Sequence, residues 1–499
     1  MGIKAKLVMP AARWTAKYIK TWSGRAVVDQ DRILKNLVTK AQNTQFGKDH
    51  FFKDIHSYED FKSRVPVKDY EGLRSYVDEI IDGKSDVLWP GKPKYFAKTS
   101  GTTSGVKYIP LTQESMPNHM NSAKSAMLNY IAESNDSSVF DGKMIFLSGS
   151  PEVITKGGIK TGRLSGIVNH EIPKWLKGNQ LPSYDTNCID EWEEKLDKIV
   201  DETLQNDMRL ISGIPPWVQM YYERLIERTG KSTVKEIFPN YNLFMYGGVN
   251  FEPYRAQLEG LIGESIPSVE LYPASEGFIA YQVSQKEKGL LLNTNSGIFF
   301  EFIPIEEVHN EEPTRLKLDQ VELYKNYALI INNNAGLWGY SIGDCVRFVS
   351  LDPYKIIVSG RIKHYISAFG EHVIGKEVEE ALMNVANKYQ TKVIEFTVAP
   401  QVNPTDGSTP FHEWFVEFES VPENLANFSN EVDLEMVKQN IYYEDLIKGN
   451  ILQPLKIRPM KADAFRSYMR EQGKLGGQNK VPRLSNDRKI ADLLGKYVR

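Results

Sequence analysis

The sequence predicts an α/β protein: a large N-terminal domain with substantial sheets flanked by helices, then a smaller, mobile α+β C-terminal domain. Three observations predict it. Short apolar runs bounded by Gly, Pro or Asn alternate with stretches of helical periodicity over most of the first two thirds of the chain, the signature of an α/β architecture. After Gly360 the pattern restarts with its own strands and helices. At 499 residues and 41% hydrophobic content, the chain is too long for one core and apolar enough to build two.

The elements follow in order. Met116, Met120, Ala123, Met127 and Tyr130 lie at helical spacing, with Ser115 as N-cap and Pro117 tolerated in the first turn. A second helix runs from Pro216 through Trp217, Met220, Tyr221 and Leu225 to Gly230. Strands are predicted at Met144 to Leu147, Leu243 to Tyr246, Val269 to Tyr272, Ile298 to Ile303, Ala328 to Ile331 and Lys355 to Val358. In the C-terminal part, strands are expected at Tyr365 to Phe369, Lys392 to Val398 and Glu413 to Phe418. Helices are expected near Glu377 to Tyr389 and Leu434 to Lys448. No fixed-period repeat or long low-complexity linker separates the parts. The reading is therefore one domain over 1–360 and another over 361–499, joined by a compact hinge near Ser359 to Lys363.

Composition narrows the partners. Lys and Arg number 61 against 64 Asp and Glu, a net charge of −3, so no global field favours nucleic acid or an anionic membrane, and any anion binding is local. The two cysteines, Cys188 and Cys345, have no Cys or His nearby at zinc-ligand spacing and cannot build a disulfide framework, which fits a reducing cytoplasm. No segment is long and apolar enough to span a membrane. Lys4, Lys6, Arg13, Lys17 and Lys20 make a basic, acid-free start, read as a solvated helix face rather than a transit peptide. A monomer is expected.

Chemistry concentrates in the loop from Thr99 to Pro110. Between Lys98 and Lys107 it holds five Ser/Thr hydroxyls and two glycines. Glycines let backbone N–H groups approach phosphate oxygens, hydroxyls add donors, and Lys107 adds charge that counts for more in a closed site than in water. A solvated Ser/Gly surface loop would read the same on this segment alone. It is not a Walker loop: Gly101 and Gly105 are too close together, Lys107 does not directly follow the second glycine, and no Ser or Thr follows Lys107. With extended segments on both sides, Lys94 to Ala97 and Tyr108 to Pro110, it resembles a hairpin that closes over a nucleotide.

Three later segments add candidates. Glu270-Leu271-Tyr272-Pro273-Ala274-Ser275-Glu276-Gly277 ends a strand with a hydroxyl and a carboxylate side by side, suited to a phosphate and to Mg²⁺. Tyr340-Ser341-Ile342-Gly343-Asp344 puts an acid after a glycine turn, where its two oxygens could hold both ribose hydroxyls. Ser359-Gly360-Arg361 sits at the domain boundary. Each segment alone has an ordinary structural explanation: a strand exit, a turn-stabilising Asp, a solvated turn.

The order Thr-Ser-Gly-Thr-Thr-Ser-Gly, Tyr-Pro-Ala-Ser-Glu-Gly, Tyr-Ser-Ile-Gly-Asp and Ser-Gly-Arg over positions 99 to 361 resembles the adenylate-forming superfamily of acyl-CoA synthetases and related ligases. Gln478-Asn479-Lys480-Val481-Pro482-Arg483, Leu455-Lys456-Ile457-Arg458 and Gly162-Arg163-Leu164-Ser165-Gly166-Ile167 are similar to the auxin-responsive Gretchen Hagen family of acyl-acid amido synthetases. The resemblance covers nearly the whole chain. It implies that Ser100, Thr102, Thr103 and Lys107 contact ATP phosphates, and that Gly247, Gly248 and Tyr272 form the adenine pocket. Ser275 would serve phosphate, Glu276 Mg²⁺ and Asp344 ribose. Arg361 would approach the nucleotide from the hinge, and Lys480, on the mobile domain, would stabilise charge in one half-reaction. Where plant members carry an Asp-Lys pair, this chain has Glu371-His372, nearer to the acyl-CoA ligase pattern, which points to a bacterial-type member and leaves the second acceptor and the role of His372 open.

The expected reaction is activation of a small carboxylic acid with ATP and Mg²⁺, followed by transfer of the acyl group to an amino acid. An acyl-CoA or aryl-CoA ligase shares the first half-reaction and differs in the acceptor. A nucleotide-binding regulator without chemistry is the alternative of another class. The acyl pocket is expected to draw on the helix from Ser115, on Gly157 to Ile167 and on Ile214 to Met220, which suit aromatic and aliphatic acids equally.

Overall fold

The computed structural model describes residues 3–102, 105–172, 178–248, 251–308, 310–362, 365–366, 368–371, 373–472 and 481–499. The chain divides into two compact units. The first comprises 1–99, 107–189 and 195–362, the second 100–106, 190–194 and 363–499.

The chain opens with helices α1 (Ile3–Ser23), α2 (Ala26–Ala41), α3 (Gln45–Asp49), α4 (Tyr58–Arg64) and α5 (Tyr70–Ile81). None of α2 to α5 is among the elements predicted above, although α4 and α5 carry caps of a legible kind. Ser57 and Asp60 form a reciprocal capping box at α4, and the Asp69 carboxylate accepts from the backbone N–H groups of Glu71 and Gly72 at α5. Helix α6 (Met116–Ser134) forms where its periodicity predicts, but Ser115 does not cap it. The Ser115 hydroxyl instead accepts from Thr112 N at 2.9 Å, while Ser115 N donates to the Thr112 hydroxyl at 3.0 Å, a local pair that outcompetes the cap. The helix predicted from Pro216 spans Pro215–Thr229 and stops at Gly230, whose φ of 67° ends it in the left-handed region.

Up to residue 362 the strands are β1 (Tyr95–Thr102), β2 (Gly105–Leu111), β3 (Lys143–Phe146), β4 (Ile154–Lys156), β5 (Ile159–Gly162), β6 (Gln180–Leu181), β7 (Met208–Ser212) and β8 (Leu243–Gly247). They continue with β9 (Ser268–Ala274), β10 (Gly277–Gln282), β11 (Leu290–Leu292), β12 (Ile298–Pro304), β13 (Asn326–Asn333), β14 (Tyr340–Leu351) and β15 (Tyr354–Arg361). All six predicted strands are present. A four-stranded sheet runs β2-β1-β5-β4, and an eleven-stranded sheet runs β12-β13-β14-β15-β11-β10-β9-β8-β7-β3-β6. Its β6-β3-β7-β8-β9 portion is parallel and the remainder antiparallel. Helix α6 packs on it: the Asn118 amide accepts from Phe278 N at 2.6 Å and donates to Phe278 O at 3.2 Å, joining the start of the helix to β10.

A buried ion pair braces the other end of this sheet. Glu301 on β12 and Arg315 are bidentate at 2.9 and 2.8 Å, and the second Glu301 oxygen also accepts from the Asn332 amide at 2.8 Å. Arg315 Nη1 reaches the carbonyls of Lys62 and Val65, so the pair also fixes the chain between α4 and α5. That segment lies beside the start of β14: Lys68 N donates to Gly339 O and Ser341 N to Lys68 O, both at 2.8 Å. Gly339 is required there. Its φ is 54°, and a Cβ would lie 2.3 Å from the Pro66 carbonyl oxygen.

The second unit holds β16 (Tyr365–Ile366), β17 (Val373–Ile374), and a three-stranded sheet of β18 (Val393–Gln401), β19 (Phe411–Phe418) and β20 (Gln453–Pro459). Strand β20 pairs parallel with β19 and is not among the predicted elements. The helix predicted over Leu434 to Lys448 is two, Leu425–Gln439 and Ile441–Lys448. Asn440 breaks it: its side-chain oxygen accepts from the N–H groups of Tyr442 and Tyr443 while its amide donates to Glu377 at 3.0 Å, which makes it the N-cap of a new helix.

His119, on α6, is fully buried, and neither ring nitrogen has a hydrogen-bond partner among the described residues. Burial pulls its pKa down to about 4. The unfolded chain therefore takes up a proton near pH 6.5 that the folded chain refuses until about 4, so stability is expected to fall as pH drops through that window. The loss saturates at roughly 3 kcal/mol below it. Urea unfolding of His119→Leu between pH 7 and 4 should lack this part of the acid limb. An unchanged pH dependence would rule His119 out as its source.

Candidate active site

Several predicted residues gather at the carboxyl ends of β8 and β9 and on β14, all in the first unit. The parallel pairing sets Gly247 beside Leu271, and a Cβ on Gly247 would lie 2.5 Å from the Leu271 carbonyl oxygen, so only glycine lets β9 pass this close. Gly248 follows with φ at 85°. Strand β9 does not run out into a loop after Tyr272 as its sequence suggests. Ala274 pairs with Gly277, leaving Ser275 and Glu276 as the tip of a tight antiparallel turn.

Asp344 is delivered by a bulge. In the β13/β14 ladder Ala328 faces Cys345 and Ile330 faces Ser341, so β14 spends extra residues between these points, and Gly343 takes a φ of 84°. The glycine turn expected before Asp344 is thus an irregularity inside a long strand. The Asp344 carboxylate is buried and accepts a hydrogen bond from the Tyr272 hydroxyl, tying β14 to β9. Arg361 stands opposite Asp344 in the β14/β15 register. Ser359 to Arg361 are the last residues of β15 rather than a solvated turn. Cys345, next to Asp344, is buried, accepts from the Ser359 hydroxyl at 3.2 Å, and has its thiol pKa raised by burial, consistent with a structural thiol.

Glu276 is held at both ends. Its carbonyl accepts from the Asn333 amide at 2.7 Å, and its carboxylate accepts from the Tyr340 hydroxyl at 3.3 Å. Tyr340 is fully buried, and burial, then the Glu276 charge, pushes its pKa well above that of a free phenol, so it remains a donor. The same phenol senses Asp69 and Tyr70 electrostatically. Tyr70 accepts from Tyr108 N at 3.0 Å, and Lys107 Nζ lies 5.9 Å from the Tyr70 ring centroid. Lys107 and Tyr70 thus form one pair and Tyr340 and Glu276 another, with the two phenols close enough for the charge of one to act on the other. Tyr70, Tyr340 and Asn333 are not among the residues singled out from sequence. A Tyr just ahead of the Gly-Asp pair was a visible signal for Tyr340, whereas the Asn333 contact depends on which strand ends meet.

Not every candidate enters these pairs. Ser100 and Thr102 belong to the end of β1, which is hydrogen-bonded to β2 as the two arms of a hairpin require. Thr103, Lys480 and His372 lie outside the described residues. Among the described residues no group of three or more His, Cys, Asp or Glu side chains comes together. A lone carboxylate such as Glu276 still fits Mg²⁺, which is commonly held by one or two carboxylates together with substrate phosphates. No described helix is long and apolar enough to cross a membrane.

Residues 16–188 match the GH3 family N-terminal domain, 291–361 the GH3 family central domain and 376–489 the GH3 family C-terminal domain. The jasmonoyl-L-amino acid synthetase JAR4 of Nicotiana attenuata is 24% identical over 85% of each chain. The indole-3-acetic acid-amido synthetase GH3.3 of Arabidopsis thaliana is 21% identical, covering 94% of this chain and 91% of its own. These plant relatives lend no support to the bacterial-type reading. In fold, the structure matches the AtGH3.15 acyl acid amido synthetase in complex with 2,4-DB with a TM-score of 0.62 at 16% identity, over 97% and 96% of the two chains. It also matches a 2-hydroxyisobutyryl-CoA ligase with a TM-score of 0.60 at 13% identity, over 95% and 91%.

Proposed function

This chain belongs to the GH3 family, and from that premise we propose which of its residues carry each step of the reaction. It is an ATP-dependent acyl-acid amido synthetase, an adenylate-forming ligase that joins a carboxylic acid to the amino group of an amino acid. A carboxylate resists attack because of its charge and resonance. One of its oxygens therefore attacks the α-phosphorus of ATP, pyrophosphate leaves, and the acyl carbon of the acyl-adenylate becomes electrophilic. The amine then attacks that carbon, AMP departs with the bonding electrons, and the nitrogen loses a proton to give the amide.

The observation that carries the residue assignment is the convergence of Tyr272, Asp344 and Glu276 at the mouth of β9. Asp344 would receive the ribose hydroxyls, its orientation set by Tyr272 and by the bulge at Gly343. Gly247, Gly248 and Tyr272 would line the adenine pocket, and Ser275 would donate to phosphate. Lys107 would offset phosphate charge beside Tyr70, with Ser100, Thr102 and Thr103 donating from the hairpin and Arg361 approaching from the end of β15. Glu276 would hold Mg²⁺, which when bound neutralises phosphate charge and helps pyrophosphate leave. Lys480 is assigned to charge stabilisation in one half-reaction on its motif. Because charge develops in a fixed arrangement of donors, losing one well-placed group is expected to cost on the order of a hundredfold in rate.

The test is a panel of aromatic and aliphatic acids in a pyrophosphate-release assay, followed by mass analysis of reactions containing mixed amino acids and CoA. Acyl-amino acids are the expected products. Acyl-CoA without any acyl-amino acid would overturn the amide step while leaving adenylation intact.

A further inference from the structure

The basic start of the chain takes no part in the site described above, and its helix is two-faced in an unusual way. Ala12, Ile19 and Trp22 of α1 are buried in a core shared with Ala126, Tyr130 and Ile131 of α6, so this helix is fastened to the body of the protein. About a quarter-turn around the helix from that buried face, Leu7, Trp14 and Tyr18, spaced i, i+7, i+11 and hence within one narrow arc, are 73%, 67% and 49% exposed. Trp14 and Tyr18 stack at 5.5 Å between centroids, which holds both rings together on that outer surface. Exposed large apolar groups in a row are uncommon on a protein surface, where single ones are ordinary.

The charges beside this ridge decide what it fits. Arg13, Lys17 and Lys20 are exposed along one flank of the same helix, whereas Arg25, which follows it, is paired with Asp29 at 3.3 Å. Between residues 1 and 28 the sequence has six basic residues and no acidic one, against a chain whose net charge is −3. A second copy of this chain would bring the exposed Arg13, Lys17 and Lys20 against their like, so self-docking is disfavoured. An apolar ridge bearing Trp, Tyr and Leu beside a stripe of Lys and Arg suits an anionic bilayer surface: the rings and Leu enter the headgroup boundary, and the cations meet lipid phosphates. We propose that the outer face of α1 is a peripheral docking surface for anionic lipid membranes, lying on the bilayer without crossing it. This would bring the ligase to the boundary where apolar carboxylic acids partition.

Co-sedimentation of the full-length protein with vesicles tests this, comparing phosphatidylcholine alone with phosphatidylcholine containing about one-third phosphatidylglycerol. Pelleting is expected with the anionic vesicles only, and release is expected at about 0.5 M salt, where screening shortens to roughly 4 Å. The pair Lys17→Glu with Lys20→Glu should weaken binding about tenfold or more, and Trp14→Ser about fivefold, with carboxylate-dependent pyrophosphate exchange unchanged in both. Protein left in the supernatant with anionic vesicles at low salt would overturn the proposal, as would wild-type binding by both variants. Sedimentation velocity showing a concentration-dependent dimer that Trp14→Ser abolishes would assign the face to self-association instead, and would equally overturn it.

Discussion

Glu276→Ala is expected to lower carboxylate-dependent pyrophosphate exchange by roughly a hundredfold or more. The carboxylate stands on a two-residue turn whose backbone is pinned by Asn333 at 2.7 Å, and its side chain is steadied by a buried phenol that remains protonated. Such a group is preorganised. The cost of aiming it is met when the chain folds, so its removal is felt in the rate rather than in the structure. The turn tip is only partly buried, and the backbone bond to Asn333 does not involve the deleted atoms, so the variant should fold. Lys107→Ala, beside Tyr70, is expected to show a loss of similar size in the same assay. Exchange close to wild type in both variants would remove both pairs from the nucleotide site.

Arg315→Met should destabilise the protein by about 3–5 kcal/mol, the usual consequence of stranding one member of a buried ion pair. Glu301 is fully buried and receives both bidentate bonds from Arg315, with further donors in Asn332 and Tyr58. Methionine fills much of the same volume, so the penalty comes from the uncompensated carboxylate and not from a cavity. Urea unfolding of the single variant, beside Arg315→Met combined with Glu301→Gln, separates the two effects. The double variant leaves no buried charge and should recover part of the loss. A single-variant loss below about 1 kcal/mol would show that the pair is better solvated than its burial implies. Because Arg315 also holds the carbonyls of Lys62 and Val65, and the chain just beyond pairs with Gly339 to Ser341, some drop in exchange activity is expected in the folded single variant through Tyr340.

Much of the architecture was legible in the residues themselves, because apolar runs bounded by Gly, Pro and Asn carry their own period and their own stops. Gly230 ended its helix as expected, and all six strands predicted in the first unit formed. Local competition limited that reading. Thr112 took the Ser115 hydroxyl from its helix, and Asn440 made two helices from one periodic stretch, since a short polar side chain chooses among nearby backbone partners that only folding supplies. The chemistry of the loop, of Ser275-Glu276 and of Asp344 could be proposed from residue type and order, because phosphate, Mg²⁺ and ribose each call for a recognisable donor or acceptor. Their arrangement could not. Tyr272 meets Asp344, and Asn333 and Tyr340 meet Glu276, because β9, β13 and β14 are brought together in one eleven-stranded sheet with a bulge at Gly343. Strand order and register arise from contacts among residues far apart along the chain, whereas a motif names its donors and acceptors without saying which of them will face one another.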